Sequence, residues 1–151
     1  MNCDRYHINT KEEYDYCVER GIEPLLDTNN FQIEISLRVE IQKKLFGHCE
    51  IGRGDIPAAN QRFFKWVWEH KPHYCEECLR PLNKFAAIYC SHILTRGAHP
   101  EMAHDARNIN ILCPEHHCTW ESATTRKAMR IYSKNMLMIE TLKKEYSQLK
   151  N

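Results

Sequence analysis

The chain reads Cys75-Glu76-Glu77-Cys78 and, about 35 residues later, Cys113-Pro114-Glu115-His116. In each segment two residues separate a pair of potential metal ligands, so both side chains can reach one tetrahedral ion from a short turn. Sulfur and imidazole ligands in this number are typical of a structural zinc site. We therefore expect the two pairs to bind one zinc ion through Cys75, Cys78, Cys113 and His116.

The remaining cysteines lack this paired spacing. Cys118 follows His116 by two residues and offers an alternative fourth ligand, although its spacing is looser. The others are expected to be buried or exposed free thiols, because cysteines in a chain without an export signal are seldom in disulfides. These are Cys3, Cys17, Cys49 and Cys90.

Length and composition predict a soluble protein with one domain. Of the 151 residues, 42% are hydrophobic and 27% are charged, which allows a modest core. The formal net charge of +1 excludes an overall basic field, so nucleic-acid binding would require a local basic face. No apolar run is long enough to span a membrane, and the polar segment 1–10 lacks the pattern of a signal peptide. We therefore expect a cytoplasmic protein.

Patterns before the first metal pair predict a helix, a strand and a second helix. Thr10 and Glu13 form a capping-box pattern at the start of a helix that ends at Gly21. Strict alternation of apolar residues favours a half-buried strand over 31–41, although steps of four in this region also fit a helix. Apolar residues on one face predict a helix over 57–69.

Two strands and two helices are predicted around and after the second metal pair. The segments 85–93 and 108–112 predict strands. Pro114 stands where the first turn of a helix would begin. The tail from Ser122 has apolar residues at steps of three and four and predicts a long C-terminal helix. The expected fold class is therefore α+β.

Polar residues stand at the ends of these predicted strands. Ser91 and His92 close the first strand, Asn108 opens the second, and His117 directly follows the second metal pair. A strand-loop-strand hairpin that packs against the helix from Pro114 would bring His92, Asn108 and His117 together. The sequence therefore predicts a second, more polar centre beside the zinc site.

The order His, Asn, His within a frame of metal-binding pairs resembles the HNH nucleases, which have a ββα-metal fold. The resemblance covers about a third of the chain, roughly 75–121. In the family, the asparagine lies five residues before the third zinc ligand and the last histidine directly follows the fourth, as Asn108 and His117 do here. The matching segments are Cys75-x-x-Cys78, Ser91-His92-Ile93, Asn108-Ile109-Asn110-Ile111-Leu112-Cys113 and His116-His117.

The resemblance implies a fold, an activity and cofactors. It implies a zinc-stapled ββα-metal module at 71–125, preceded by a mixed helix and strand extension at 1–70. A C-terminal helix at 126–151 would pack on the same domain. The implied activity is that of a metal-dependent endonuclease, which hydrolyses phosphodiester bonds in DNA. The expected cofactors are a structural Zn²⁺ and a catalytic divalent ion, Mg²⁺ or Mn²⁺.

The resemblance also implies roles for individual residues. His92 would be the general base, because a neutral imidazole can take the proton of a water molecule. Asn108 would orient His92, typically through an amide contact, and His117 would bind the catalytic metal. We also expect Arg96, beside the small residue Gly97, to hold a phosphate of the substrate through its guanidinium.

One position departs from the family pattern. Many members have an Asp before the first histidine as a ligand of the catalytic metal, where this chain has Ser91, a poor ligand. A further ligand is therefore expected: Ser91 itself and, in the following loop, His99, His104 and Asp105 are candidates. For His104, a solvated surface position is the favoured alternative.

Two other classes of function remain compatible with the sequence. The first is a catalytically silent zinc module that binds nucleic acid, which needs the four zinc ligands but need not keep His92 and His117 together. The second is a protein-interaction zinc domain, which would need no basic face. The joint presence of His92 and His117 favours the enzyme. The sequence leaves open whether the DNA is duplex, branched or single-stranded, and whether the C-terminal helix forms a homodimer.

Overall fold

The computed structural model describes residues 5–8, 10–25, 33–47 and 58–150 of the chain. This part is mostly helical and contains two pairs of short strands. Its elements are β1 (Arg5–His7), α1 (Lys11–Arg20), β2 (Glu23–Leu25), α2 (Ile35–Phe46), α3 (Ala58–His70), β3 (Cys90–His92), β4 (Ile109–Ile111), α4 (Pro114–Glu121) and α5 (Tyr132–Ser147). β1 pairs with β2 in parallel, whereas β3 and β4 form an antiparallel hairpin in which His92 is opposite Ile109. Within these described ranges, no helix is long and apolar enough to cross a membrane.

Local signals determine the ends of α1. The hydroxyl oxygen of Thr10 accepts the backbone N–H of Glu13 at 3.1 Å and satisfies one of the free donors of the first turn. Gly21 ends the helix in the left-handed conformation, with φ 66°. The prediction of this helix and of both its ends is confirmed.

The strand predicted over 31–41 is wrong, because most of this segment belongs to helix α2; its first two residues lie outside the described ranges. Ile33, Leu37 and Ile41 pack in a cluster with α1, whereas Ile35 packs in a cluster with α5. A helix that is covered on two sides needs apolar residues on both faces. The two sets of positions together produced the alternation that is typical of a strand.

The hairpin of β3 and β4 is present but shorter than predicted. A 3₁₀ turn over Ala87–Tyr89 replaces part of the strand predicted over 85–93, and β3 contains only three residues. Asn108 ends another 3₁₀ turn, so that β4 begins one residue later than predicted. Helix α4 begins at Pro114, as predicted, and packs against the turn over Ala87–Tyr89.

The C-terminal helix begins later than predicted. The chain after Ser122 forms a 3₁₀ turn over Arg126–Ala128, and α5 begins only at Tyr132. The carboxylate of Glu77 accepts the backbone N–H groups of Arg130 at 2.8 Å and Ile131 at 3.0 Å. Because Glu77 belongs to the first metal pair's turn, these bonds anchor the start of α5 to that turn.

One apolar cluster contains residues from each of the segments 1–70, 71–125 and 126–151. It combines Phe63 and Val67 of α3 with residues of the hairpin, of α4 and of α5, including Ile139. Trp120 of α4 belongs to this cluster, is only 1% exposed, and donates its indole N–H to the carbonyl of Ile93 at 3.2 Å. Trp120 is therefore a packing residue of the core.

A buried network of charges joins the β3–β4 loop to α2 and α5. Asp105 is fully buried and accepts hydrogen bonds from Arg107 Nη2 at 2.7 Å and from the Tyr146 hydroxyl at 3.0 Å. Arg38 Nη1 lies 3.8 Å from Asp105, and Arg107 Nη1 donates to Glu145 at 3.0 Å. Burial opposes ionisation of Asp105, but Arg107 and Arg38 hold its pKa below its usual value. The network therefore anchors the buried side of the β3–β4 loop to α2 and α5.

Candidate metal centre and adjacent cleft

The four predicted zinc ligands lie together, and their ligand atoms are all within 4.8 Å of one another. Cys78 Sγ lies 4.0 Å from Cys113 Sγ, and Cys75 Sγ lies 3.7 Å from His116 Nδ1. Around a tetrahedral zinc ion, two thiolates are ~3.8 Å apart, and a thiolate and an imidazole nitrogen are ~3.6 Å apart. The cluster therefore has the donor set and the dimensions of a Cys3His zinc site.

Cys118 does not belong to this cluster. Its side chain is exposed on α4, whereas His116 Nδ1 lies 3.2 Å from Cys113 Sγ. The two residues stand on different sides of the helix because successive residues on a helix point about 100° apart. The choice of fourth ligand that the sequence left open therefore falls on His116.

Short turns bring the ligands into place. The backbone N–H of Leu79 donates to the Cys75 carbonyl at 2.8 Å, and Leu79 adopts the left-handed conformation with φ 64° to complete the turn. The backbone N–H of Glu76 donates to the Ile111 carbonyl at 2.8 Å and joins this turn to β4. The second pair belongs to the start of α4, where Cys113 directly precedes the first helical residue.

Backbone groups in this turn also favour a thiolate. Burial opposes ionisation of Cys75, but the backbone N–H groups of Cys78, Cys113 and Glu77 outweigh it and lower the Cys75 pKa to about 7. Zinc binds the thiolate form of cysteine. The polypeptide therefore prepares one ligand for metal binding even before an ion is bound.

A cleft of about 500 Å³ lies along α4 and the β3–β4 hairpin. Three of the residues that the sequence predicted for the polar centre line it: His92, Arg96 and His117. Two charged residues that the sequence reasoning missed, Glu121 and Arg126, line the same cleft. The spacing of four between His117 and Glu121 on a helix was a signal for the first of them.

His92 is held through one ring nitrogen. Its Nε2 lies 2.9 Å from the Ala103 carbonyl oxygen, and because a carbonyl only accepts, Nε2 carries the proton and Nδ1 is the basic nitrogen. Nδ1 has no hydrogen-bond partner in the part of the chain that the structure describes. Burial lowers the pKa of His92, and the nearby positive charge of Arg96 lowers it further. The ring is therefore neutral at pH 7 and can accept a proton.

Asn108 acts on the backbone around His92 and not on its ring. Its Oδ1 accepts the Leu94 N–H at 2.8 Å, and its Nδ2 donates to the Leu94 carbonyl at 2.9 Å and to the Met102 carbonyl at 3.4 Å. The predicted direct amide contact with His92 is not among its hydrogen bonds. Met102 precedes Ala103, whose carbonyl holds the imidazole, so Asn108 fixes the start of the loop and the segment that contacts the His92 ring.

His117 is also fixed through one nitrogen. Its Nδ1 lies 2.6 Å from the Ile88 carbonyl oxygen, so Nδ1 carries the proton and Nε2 is left to bind a ligand. Nε2 lies 3.0 Å from Oε1 of Glu121, one helical turn further along α4. Histidines that bind metals usually donate their other N–H to a carbonyl or carboxylate in this way. His117 and Glu121 therefore present one imidazole nitrogen and one carboxylate side by side at the cleft.

The other predicted ligands of the catalytic metal do not line the cleft. Ser91 is 1% exposed, and its hydroxyl has no hydrogen-bond partner among the described residues. His99 lies 3.5 Å from the carboxylate of Glu101, outside the cleft. Asp105 is in the core, where its carboxylate is bound by Arg107. These positions do not support a metal-binding role for Ser91, His99 or Asp105.

His104 differs from the expectation of a solvated surface group. It is only 6% exposed, and its Nε2 lies 2.6 Å from Oδ1 of Asn60 on α3. Its ring also packs against Phe63, with 5.1 Å between the ring centroids. Burial, with the nearby His92 acting in the same direction, lowers the pKa of His104 to about 4. His104 is therefore a neutral residue that joins the loop to α3.

Comparison with known proteins gives no match. No protein-family model matches the sequence, and neither a curated protein nor a solved structure is significantly similar to it. A functional interpretation therefore depends on the geometry of the Cys3His cluster and of the adjacent cleft.

Proposed function

We propose that this protein is a metal-dependent endonuclease of the HNH type, which hydrolyses phosphodiester bonds in DNA. One observation carries the proposal: His92, with its proton on Nε2 and an Nδ1 that has no partner among the described residues, shares a cleft with His117 and Arg96. The residue order His92, Asn108, His117 within two metal-binding pairs, which resembles that family, supports the same chemistry.

His92 is the general base in this proposal. Nδ1 takes a proton from the water that attacks the phosphorus atom, and the Ala103 carbonyl stabilises the imidazolium that results. The lowered pKa of His92, caused mainly by burial, keeps the ring in its basic form at pH 7. Asn108 keeps the ring in position through the backbone of the loop.

The negative charge of the substrate phosphate is bound by Arg96 and by a divalent ion on His117 and Glu121 in this proposal. Arg96 lines the cleft, and its guanidinium suits a phosphate oxygen. His117 and Glu121 would hold the divalent ion, and their nitrogen and oxygen donors fit Mg²⁺ or Mn²⁺. Such an ion neutralises charge on the phosphate and on the leaving oxygen.

The Cys3His cluster has a structural role in this proposal. It would hold one zinc ion, which joins the turn before the hairpin to the start of α4. His117 directly follows the ligand His116, so the bound zinc would also fix the position of the residue that faces the cleft. The proposal therefore assigns a stabilising metal and a catalytic metal to neighbouring residues of one helix.

Nicking of a supercoiled plasmid tests the proposal. We expect wild-type protein to nick the plasmid with Mg²⁺ or Mn²⁺ and not without added metal, and the variant His92→Ala to be slower by about 10²- to 10⁴-fold. The matched control is His99→Ala, which removes a histidine of the same loop that does not line the cleft. Nicking by His92→Ala at the wild-type rate would show that the base is another residue.

The second candidate is a zinc module that binds nucleic acid without cleaving it. The observation in its favour is that the Cys3His set is the one group of three or more metal-ligating side chains in the described residues, so the cleft offers fewer ligands. This candidate predicts that the wild-type protein binds DNA but does not nick it with any divalent ion. The plasmid assay, combined with a binding measurement, separates the two candidates.

A further inference from the structure

We infer that Arg126 forms a second phosphate-binding subsite in the cleft, which takes a backbone phosphate next to the one that is cleaved. The inference rests on the proposed nuclease function, because it concerns the same cleft. It adds a residue to which the sequence gave no specific role, and it assigns that residue to binding the substrate and not to the chemical step.

The guanidinium of Arg126 is fixed by the end of α4. Its Nε donates to the Trp120 carbonyl at 2.7 Å, and its Nη2 donates to the Glu121 carbonyl at 3.5 Å. The group also stacks on the Trp120 ring, with 4.4 Å between the guanidinium carbon and the ring centroid. Since Trp120 is buried and hydrogen-bonded itself, Arg126 rests on a rigid support.

The turn after α4 delivers this side chain to the cleft. The backbone N–H of Arg126 donates to the Ser122 carbonyl at 3.0 Å, and the Thr125 hydroxyl donates to the Thr119 carbonyl at 2.7 Å. These bonds fold the chain back on the helix. Arg126 therefore lines the same cleft as His92 and Arg96, although it is far from both in the sequence.

The charge of Arg126 is available to a ligand. The hydrogen-bond partners of its guanidinium are neutral carbonyl groups. In the part of the chain that the structure describes, no carboxylate forms an ion pair with Arg126, and its Nη1 has no acceptor. The nearby carboxylate of Glu121 is within 3.0 Å of His117 instead. A planar guanidinium that is already immobile binds a phosphate oxygen with little further loss of side-chain entropy.

A purely structural role must be distinguished from this one. A cation at the C-terminal end of a helix interacts favourably with the last carbonyl groups and with the helix dipole. That role uses Nε and Nη2 of Arg126 and makes no use of Nη1. It predicts a loss of stability when Arg126 is replaced, but it predicts no specific loss of DNA binding.

The test measures binding of a 20-base-pair duplex by fluorescence anisotropy at several NaCl concentrations. The buffer contains neither added divalent ion nor chelator, so the DNA stays intact and the zinc stays bound. The test variant is Arg126→Gln, which removes the charge but keeps an amide that can donate to the Trp120 carbonyl and so preserve the fold. The matched control is Lys127→Ala, which removes a neighbouring exposed cation that does not line the cleft.

We expect Arg126→Gln to weaken binding about tenfold and to lower the slope of log Kd against log[NaCl] by about 1, the value for one lost phosphate contact. Lys127→Ala should change both quantities much less. Equal effects of the two variants, or an effect of Arg126→Gln on the melting temperature alone, would overturn the subsite. If the wild-type protein binds no DNA, both the nuclease proposal and the subsite fail. If the wild-type protein nicks DNA but Arg126→Gln binds DNA as tightly as the wild type, only the subsite is overturned.

Discussion

Asn108 and Leu94 exchange two hydrogen bonds, because the Asn108 amide accepts the Leu94 N–H at 2.8 Å and donates to the Leu94 carbonyl at 2.9 Å. The pair joins the start and the end of the loop between β3 and β4, and the contact of Asn108 with Met102 holds the middle of the loop. His92 lies just before this loop, and the carbonyl that holds its ring lies within it. A buried amide thus determines the position of a histidine that it does not touch.

Replacement of Asn108 should therefore affect both stability and cleavage. Asn108→Ala leaves partly buried backbone groups of Leu94 without partners, so we expect a loss of about 1–3 kcal/mol in the free energy of unfolding. Cleavage should fall by at least tenfold, because the ring of His92 loses its fixed position. Urea unfolding and plasmid nicking measure the two effects.

Asn110→Ala is the matched control for this experiment. Asn110 is also buried and hydrogen-bonded, donating to Glu76 at 3.2 Å and accepting from Asn135 at 2.7 Å, but it does not line the cleft. We expect similar destabilisation and little change in the nicking rate of the folded protein. Equal loss of cleavage in the two variants would mean that Asn108 has no special role in placing His92.

The neighbours His116 and His117 should respond differently to the same substitution. His116→Ala removes a member of the Cys3His cluster, so we expect loss of the zinc, which should be about one equivalent in the wild-type protein, and a lower melting temperature. His117→Ala should keep its zinc and its fold but lose divalent-dependent nicking. Metal analysis after dialysis, thermal melts and the plasmid assay give the three readouts. Loss of zinc in both variants would indicate a single metal site and would favour the silent zinc module.

Glu121→Gln tests the second ligand that we propose for the catalytic metal. The substitution keeps the shape of the side chain but removes its charge, so we expect the Mg²⁺ or Mn²⁺ concentration for half-maximal nicking to rise about tenfold or more. Mn²⁺ binding, followed by its paramagnetic effect on water relaxation, should weaken in parallel and needs no catalysis.

Glu115→Gln is the control for Glu121→Gln, because Glu115 is exposed on the same helix and does not line the cleft. We expect its metal dependence to match that of the wild-type protein. If Glu121→Gln also matches the wild type, the contact between Glu121 and His117 is only an ion pair on the surface of the helix.

Asp105→Asn should act on stability and not on metal binding. The substitution removes the buried carboxylate that lies between Arg38 and Arg107, and breaking a buried ion pair by removing one partner costs about 3–5 kcal/mol. Urea unfolding should show this loss, while the folded fraction keeps the wild-type metal dependence of nicking. A stable variant with a changed metal dependence would instead restore Asp105 as a ligand.

Local patterns were enough to predict several parts of the molecule. The spacing within the two metal pairs identified the four members of the Cys3His cluster, because a tight turn brings ligands two residues apart to one point. Capping signals gave both ends of α1, and Pro114 gave the start of α4. In each of these cases the deciding interaction joins residues that are only a few positions apart in the sequence.

Other parts could not be predicted because they depend on what each segment packs against. The first part of helix α2 was predicted as a strand, although steps of four also fitted a helix, because the sequence does not show that α1 and α5 cover two of its faces. Asp105 was one of several candidate metal ligands, but it is enclosed by Arg38, which is distant in the sequence, and by Arg107, which belongs to a turn whose direction the sequence did not show. Arg126 could not be assigned to the cleft from the sequence, because only the turn after α4 brings it there.

The sequence by itself determined the Cys3His cluster, the capped helix α1, and the order of His92, Asn108 and His117 around a hairpin and a helix. These features depend on short-range geometry, which the identity and spacing of residues already specify. Only the tertiary structure decided which charged groups are in the core and which are in the cleft: Asp105 is buried between arginines, whereas Glu121 and Arg126 line the cleft beside His117. The physical reason is that burial and ion pairing depend on neighbours from distant elements, and only packing of the whole chain brings those neighbours together.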